Sequence, residues 1–545
     1  MADHLATIWE AIADRLPGEV ALVHGEQQRT WAEFEQRSAR FAAALLAAGV
    51  RPGETVAIDM FNASEYFEVF FAALKIRAVP ANVNYRYLGE ELAGVLRQCE
   101  AAALVYHAGL RERVAPALAA AAGLRLVAEV ADGDLGAGGP GLSYESLIAC
   151  CPPAARTDRA ETDTFLSLTG GTTGLPKAVE YVNGHAVRNT RMLGRQMLGL
   201  DDVDWDGPAL ERAVTLHAQG RRPVALPASP LMHSTGLIMA SLPVLTAGGT
   251  VVTLTGRRFD PWELLAAVES THPRTVSIVG NAFARPLAQA LDAAASGRPY
   301  DTASLVTITS AGMAWSADTK RAILRHIPQV TLVDACGCSE GATIGSMVTR
   351  RGAAATTDRF VPAPGLTLIR SDGSVIDPAS TEQGMFLAPT VARGYRKDPE
   401  HTAAVFRTIG TGTYVLTGDW GRWNPDGTVT LLGRGTSTIN TGGEKVFAEE
   451  VEHVVRSMPG VDDCVVLGVP DDRLGQQVAA IVQSAGDPVS PDTVRSAVRA
   501  RLAGYKVPRI VISAPVPRGP NGKIIYPEAR RLLDQQRSLA GQQRS

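Results

Sequence analysis

The segment Ser167-Leu-Thr-Gly-Gly-Thr-Thr-Gly-Leu-Pro-Lys177 holds three glycines, three threonines and a closing lysine. These residue types suit a loop that wraps phosphates. Glycine tolerates φ > 0 and lets backbone N–H groups close on an anion. Threonine hydroxyls add donors, and a lysine ammonium adds a charge-assisted hydrogen bond. The segment is not a Walker A loop. That motif sets Gly-Lys-Ser/Thr at the start of a helix, and here Leu175-Pro176 separates Gly174 from Lys177. A flexible Gly/Thr surface loop would share this composition, so the rest of the chain has to decide between the two.

Several later segments also place polar residues behind apolar runs. Ala311-Gly-Met-Ala-Trp315 and Ala335-Cys-Gly-Cys-Ser-Glu340 each follow a strand-like run. Tyr414-Val-Leu-Thr-Gly-Asp-Trp-Gly-Arg422, Gly433-Arg434, Ile439-Asn-Thr-Gly-Gly-Glu-Lys-Val446 and Pro520-Asn-Gly-Lys523 come after them. Taken singly, several have a plain reading. Lys523 behind a Pro-Asn-Gly turn is a solvated loop lysine. His233, in Pro230-Leu-Met-His-Ser-Thr-Gly236, is a hydrogen-bonded core histidine. Cys336-Gly-Cys338 lacks the further His or Cys that a four-ligand metal site needs, so small packed cysteines are expected.

In this order, with the first loop, the segments resemble the adenylate-forming superfamily, which includes acyl-CoA synthetases, adenylation domains and luciferases. The resemblance spans essentially the whole chain. It is nearest to bacterial acyl-CoA ligases of the fatty-acid and steroid-catabolic type, through Asn82-Val-Asn-Tyr-Arg-Tyr87, Gly280-Asn-Ala-Phe-Ala-Arg285 and Asn440-Thr-Gly-Gly-Glu-Lys-Val-Phe447. It implies that ATP activates a carboxylic acid as an acyl-adenylate with release of pyrophosphate, and that a thiol, usually coenzyme A, then displaces AMP. ATP, Mg2+ and CoA are the implied cofactors, and a small carboxylic acid and CoA the partners; a homodimer is compatible with the resemblance.

The resemblance also implies roles. Thr169, Gly170, Gly171, Thr172, Thr173, Gly174 and Lys177 would hold the β- and γ-phosphates. Ala311, Gly312 and Met313 would pass beside adenine, with Cys336, Gly337 and Cys338 in the same pocket. Ser339 would contact phosphate, and Glu340 would ligate Mg2+, a hard cation that prefers carboxylate oxygen. Asp419 would accept the ribose hydroxyls, and Arg434 would contact ribose or phosphate. Lys523 would reach the carboxylate and α-phosphate, where an ammonium offsets the repulsion between two reacting anions. Asn281 and Trp315 would line the acid pocket, and His233 would line or gate it. Gly442 and Gly443 would line the thiol tunnel. Residues 1–433 would form the AMP-binding domain, 434–438 a hinge centred on Thr436, and 439–545 a small mobile domain.

Four positions depart from the family pattern. Cys336 stands where many relatives have an aromatic ring, and Ala178 where glycine is usual. Glu180 adds a negative charge near the loop, and Asn281 stands where the nearest relatives have an acid. These bear on nucleotide grip and substrate identity rather than on adenylation. The alternative is an adenylating enzyme of a biosynthetic pathway that loads a carrier protein, forms an amide, or activates nitrite to diazotise an aryl amine. A degenerate nucleotide-binding regulator is disfavoured, because Lys177, Glu340, Asp419, Arg434 and Lys523 are all present.

The elements that must position these residues are of α/β type. Thr30-Trp-Ala-Glu33 is a capping box opening a helix that runs to Gly49. Thr55–Asp59 reads as a strand, followed by an aromatic helix over 66–76. Apolar runs recur at 103–106, 124–130, 165–168, 250–254, 275–279, 305–309 and 330–333, with helical patterns between several of them, such as 261–270. Short apolar strands alternating with helices predict an α/β fold with buried sheets. Residues 131–141 read as a surface loop. Beyond Leu432 the pattern is helix 447–458, strands 463–469 and 477–483, helix 491–502 and strand 509–513, a small α+β domain. The Gln- and Arg-rich tail from Asp534 is expected to fray.

The bulk numbers agree. A chain of 545 residues with 45% hydrophobic and 20% charged residues can bury a large core in several domains. A net charge of −3 gives no field for wrapping nucleic acid. Six cysteines without a Cys-x-x-Cys pair suit a reducing cytoplasm rather than a disulfide scaffold. Met1-Ala-Asp-His-Leu lacks the basic start and apolar core of a signal peptide. The uncharged stretch near 223–256 is broken by Pro227, Pro230, Pro243, Gly248 and Gly249, so it is expected as buried core under a cleft rather than a membrane span.

Overall fold

The computed structural model describes residues 3–121, 123–133, 135–169, 176–313, 315–353, 359–370, 372–410, 412–434, 438–484, 486–517 and 526–542. Three sheets organise them. The first has eight strands, with Thr164–Thr169, Val79–Asn82, Thr55–Asp59, Ala101–His107 and Leu126–Val130 side by side and parallel. Every residue of Thr55–Asp59 and Ala101–His107 is buried. Their near-continuous apolar runs are what a strand covered on both faces requires.

The second sheet has fourteen strands among the described residues. Its parallel part runs through Thr331–Gly337, Thr307–Ala311, Thr275–Ile278, Val224–Pro227, Thr250–Thr253 and Val20–His24. Beyond Thr331–Gly337 it continues antiparallel through Thr343–Thr349, Arg359–Pro362, Val429–Arg434 and Gly412–Trp423. A third sheet of five strands begins with Thr438–Thr441 and Glu444–Phe447 and is built on the long pair Val461–Asp471 and Gly475–Ser484.

Local signals were followed closely. Helix Trp31–Ala47 starts at the expected capping box: Glu33 N–H donates to Thr30 Oγ1 at 3.2 Å and Thr30 N–H donates to Glu33 Oε2 at 2.8 Å. Its Phe34 meets Trp9 and Phe71 in a cluster where Trp9 and Phe71 pack edge to face at 5.2 Å. Truncating Trp9, which is fully buried, would cost about 3–5 kcal/mol. The stretch near 223–256 is core, as expected. It forms strand Val224–Pro227, π-helix Thr235–Ser241, helix Leu242–Thr246 and strand Thr250–Thr253. Among the described residues no helix is long and apolar enough to cross a membrane.

The segment leading into the tail is helical and anchored before Asp534. Helix Tyr526–Gln542 continues through the Gln- and Arg-rich segment. Its Ala529 and Leu533, one turn apart, are fully buried against Val465, Leu467 and Ile481. That i, i+4 contact anchors a helix whose polar composition alone would not.

Candidate active site

Parallel strands leave their carboxyl ends open to one side, where α/β sheets bind ligands. Three such ends converge here: Thr164–Thr169 of the first sheet, and Thr307–Ala311 and Thr331–Gly337 of the second. Ser167, Thr169, Ala311, Gly312, Cys336, Gly337, Cys338 and Ser339 line one cavity of about 200 Å³ that opens to solvent. The π-helix supplies the floor through Thr235, Ile238 and Met239, with His233 in the turn just before it. π-Helical turns are often found at functional sites. Gly236 is required there, since a Cβ would lie 2.4 Å from the Pro230 carbonyl oxygen.

The turn after strand Thr331–Gly337 is held by three hydroxyls. Tyr181 Oη donates to the Ser339 carbonyl at 2.9 Å, and Thr390 Oγ1 donates to the Glu340 carbonyl. Tyr395 Oη donates to Glu340 Oε1 at 2.7 Å. Lys177 Nζ sits 4.9 Å from the centroid of the Tyr395 ring. Among the described residues no group of three His, Cys, Asp or Glu forms a metal cluster. One carboxylate that shares a tyrosine with a lysine ammonium suits Mg2+, which commonly takes one or two carboxylates with substrate phosphates and water.

Glu180 does not face this site. Strand alternation puts Lys177 and Tyr181 on one face of strand Lys177–Val182 and Glu180 on the other. Glu180 is buried, accepting from Thr164 Oγ1 at 3.1 Å, Arg393 Nε at 2.9 Å and Arg396 Nη1 at 3.3 Å. Its charge is balanced and ties strand Ala392–Tyr395 to its neighbour, so the expected negative charge near the loop is not delivered to the cavity.

The residues expected at the acid pocket lie in different places. His233 lines the cavity. Asn281 does not: its Oδ1 accepts from Ser316 N at 3.0 Å, Ser316 Oγ at 3.1 Å and Thr319 Oγ1 at 2.9 Å, securing the start of helix Ala317–His326. Trp315 does not either, being fully buried in the core behind the second sheet. The wall comes instead from Asn189, Leu193, Gln196 and Met197 of helix Asn183–Met197. Their i, i+4, i+7, i+8 spacing is one helical face, a periodicity that could have found them. Met313 is buried away from the cavity lining, close to Gly475 of the third sheet.

The third sheet closes one side of the cavity through Gly443 and Glu444, with Tyr505 beside them. Gly443 has φ +86° and passes so near Val279 that a Cβ would lie 2.5 Å from Val279 Cγ1. Gly442 lies next to it, its N–H donating to the Leu474 carbonyl at 2.9 Å. Glu444, which sequence reasoning gave no role, is buried. It accepts from Arg86 Nη1 at 2.7 Å and Asn84 Nδ2 at 3.3 Å, and its Oε1 lies 3.2 Å from His233 Nε2. Burial alone would raise its carboxyl; His233, Arg86 and Asn84 outweigh this and hold it at about 2. An acid directly after two glycines was the available signal. A second bridge lies nearby, where buried Lys506 donates to Glu91 and Glu450, each at 2.8 Å.

Asp419 and Arg434 are register partners across antiparallel strands Gly412–Trp423 and Val429–Arg434. The Arg434 side chain, Gly170, Gly171, Thr172, Thr173, Gly174, Thr436 and Lys523 lie outside the described residues.

Comparison with known proteins follows the same architecture. The AMP-binding enzyme profile matches residues 9–395, and that of the AMP-binding enzyme C-terminal domain matches 450–523. A 3-oxocholest-4-en-26-oate–CoA ligase of Rhodococcus rhodochrous is 34% identical over 536 residues, covering 96% of this chain and 95% of the relative. A feruloyl-CoA synthase of an Amycolatopsis species is 32% identical over 525 residues, covering 94% and 96%. The amide bond synthetase McbA of Marinactinospora thermotolerans superposes with a TM-score of 0.79 at 26% identity, covering 96% of this chain and 99% of that one. Sequence profile, relatives and strand-end cavity agree: this chain belongs to the AMP-binding, adenylate-forming enzyme family.

Proposed function

We propose that the chain is an ATP-dependent acid-CoA ligase, forming an acyl-adenylate and then a thioester with CoA, with release of pyrophosphate and AMP. One observation carries the reading. Residues suited to a nucleotide at three strand ends, a mixed wall on helix Asn183–Met197 that includes Leu193 and Met197, and Gly443-Glu444 of the third sheet all border one cavity. A nucleotide, an apolar acid and a narrow thiol path can therefore meet at one point. The names of the relatives, CoA ligases for a steroid acid and for ferulate, support this choice.

In this reading Thr169, the glycine–threonine loop and Lys177 hold pyrophosphate as it forms. Ala311, Gly312, Cys336, Gly337 and Cys338 border adenine, Ser339 contacts phosphate, and Asp419 and Arg434 take the ribose side. Mg2+ at Glu340 supplies charge compensation on the phosphates. Lys523 lowers the barrier to attack of the acid carboxylate on the α-phosphate. Residues 1–433 and 439–545 act as two bodies about a hinge at 434–438, and Glu444 docks the smaller one for thioester formation. Leu193, Met197, Ile238 and Met239 favour an apolar acid, and ATP and CoA as substrates support a cytoplasmic location.

The test is mass spectrometry of products from a panel of fatty, steroid-side-chain and hydroxycinnamic acids with ATP, Mg2+ and CoA. An acyl-CoA product from an apolar acid is expected. An amide formed with an added amine and no thioester, or activation of nitrite alone, would overturn CoA as acceptor.

A further inference from the structure

Tyr395 has no part in the function proposed so far, yet it touches two groups that do. Its hydroxyl donates to Glu340 Oε1 at 2.7 Å, and its ring lies 4.9 Å from Lys177 Nζ. The side chain is itself fixed. The ring is buried, packed edge to face on Phe406 at 5.4 Å and 86°. The backbone N–H donates to Thr402 Oγ1 at 2.9 Å. Tyr395 pairs in register with Val179 on the strand that Lys177 opens, and the next residue, Arg396, donates its N–H to the Ala178 carbonyl at 2.8 Å. The residue that orients Glu340 is thus mounted on the strand that carries Lys177.

We propose that Tyr395 is a positioning residue that sets the Glu340 carboxylate and the Lys177 ammonium at a fixed spacing for a Mg2+–polyphosphate. This rests on the ligase reading above. Two attachments of different chemistry do the work. The hydroxyl holds one carboxylate oxygen and so selects the carboxylate rotamer. The ring face attracts the ammonium without competing with phosphate for its three protons. The lysine opens a strand of the first sheet and the glutamate sits in a turn that follows a strand of the second, and Tyr395 is a partner that both share. The role belongs to adenylation, where polyphosphate is present. Thioester formation starts from acyl-adenylate after pyrophosphate has left, so it should be indifferent to Tyr395.

Tyr395→Phe keeps the ring, its packing on Phe406 and its contact with Lys177, and deletes only the hydroxyl. Mn2+ binding in the presence of a non-hydrolysable ATP analogue, read by electron paramagnetic resonance, should weaken about tenfold. The Mg2+ concentration needed for half-maximal adenylate formation should rise by a similar factor, while thioester formation from supplied acyl-adenylate and CoA stays within twofold. Tyr395→Leu removes the ring as well and should also raise KM for ATP. Unchanged Mn2+ binding in Tyr395→Phe, or equal loss of both half-reactions, overturns the proposal. The Mn2+ titration needs no acid. A wild-type chain that binds Mn2+ with the nucleotide analogue but adenylates nothing would sink the ligase reading while leaving the Tyr395 measurement decisive.

Discussion

Replacing Glu444 by glutamine removes one charge and little volume from the contact between the third sheet and the cavity. The carboxylate has three neighbours there: Arg86 at 2.7 Å, His233 at 3.2 Å and Asn84 at 3.3 Å. Hydrogen bonds to charged groups contribute about 1.5–3 kcal/mol each, and losing one side of a buried pair costs more when its partner stays dry. The Arg86 side chain is 39% exposed, so water takes up part of the loss. A net cost of about 2 kcal/mol follows, or about 30-fold in the docked population at 1.4 kcal/mol per tenfold. The assay separates the half-reactions. Thioester formation from supplied acyl-adenylate and CoA should fall about 30-fold, while single-turnover pyrophosphate release from acid and ATP should change by less than about threefold. The sign of the pH effect is also set. The carboxyl is held at about 2 against an ordinary 4.5, so its contribution is present above about pH 4.5 and lost as pH falls toward 2. Equal loss in both half-reactions, or no loss in either, would refute the assignment of Glu444 as the docking contact for the second step.

Lys523→Ala should cut adenylate formation by orders of magnitude and leave thioester formation from supplied adenylate within a few-fold; intact adenylation would remove Lys523 from the reaction. Gly443→Ala forces a side chain into a φ of +86° and sets its Cβ 2.5 Å from Val279 Cγ1, at a conformational cost of about 1–2 kcal/mol. Thioester formation should drop at least tenfold, and a second change, Val279→Ala, should recover part of it in the same assay. Asp59 is buried with Oδ1 lacking a hydrogen-bond partner among the described residues, and burial pushes its carboxyl from 3.8 up to about 7. Its protonated form favours the folded state below pH 3.8, and that contribution is lost as pH rises through 7, by up to about 4 kcal/mol. Asp59→Asn should therefore melt higher than wild type above pH 7, with the gap closing below pH 4; a gap independent of pH would show that the carboxyl does not titrate there.

Local physics was well expressed in the chain. The capping box Thr30-Trp-Ala-Glu33, the wholly buried strand Thr55–Asp59 and the helix Pro261–Thr271 lie within a residue or two of expectation. Each is decided by a cap, an apolar run or a proline at the first turn, signals contained within one element. The antiparallel extension through Thr343–Thr349, Arg359–Pro362 and Val429–Arg434 was not legible in that way. Its strands are partly exposed, and Arg359–Pro362 pairs with Val429–Arg434 across some seventy residues. The orientation of Glu180 is legible in the chain, since two residues three apart on a strand must face opposite ways. The exclusion of Asn281 and Trp315 from the cavity depended on what helix Ala317–His326 and the second core required of them.

By itself the sequence determined which chemical groups the chain owns and where along it they stand: glycines and hydroxyls at strand ends, one carboxylate after Ser339, and one lysine behind a turn near the end. Those are properties of neighbours in the chain, and backbone sterics and burial act on neighbours. The tertiary structure alone decided that one face of helix Asn183–Met197 walls the cavity, that Glu444 reaches His233, and that Tyr395 joins Glu340 to Lys177. Those contacts link residues 55 to 218 positions apart. They exist because sheet packing and strand register bring them within a few ångströms, at a cost in chain entropy that only the assembled core can offset.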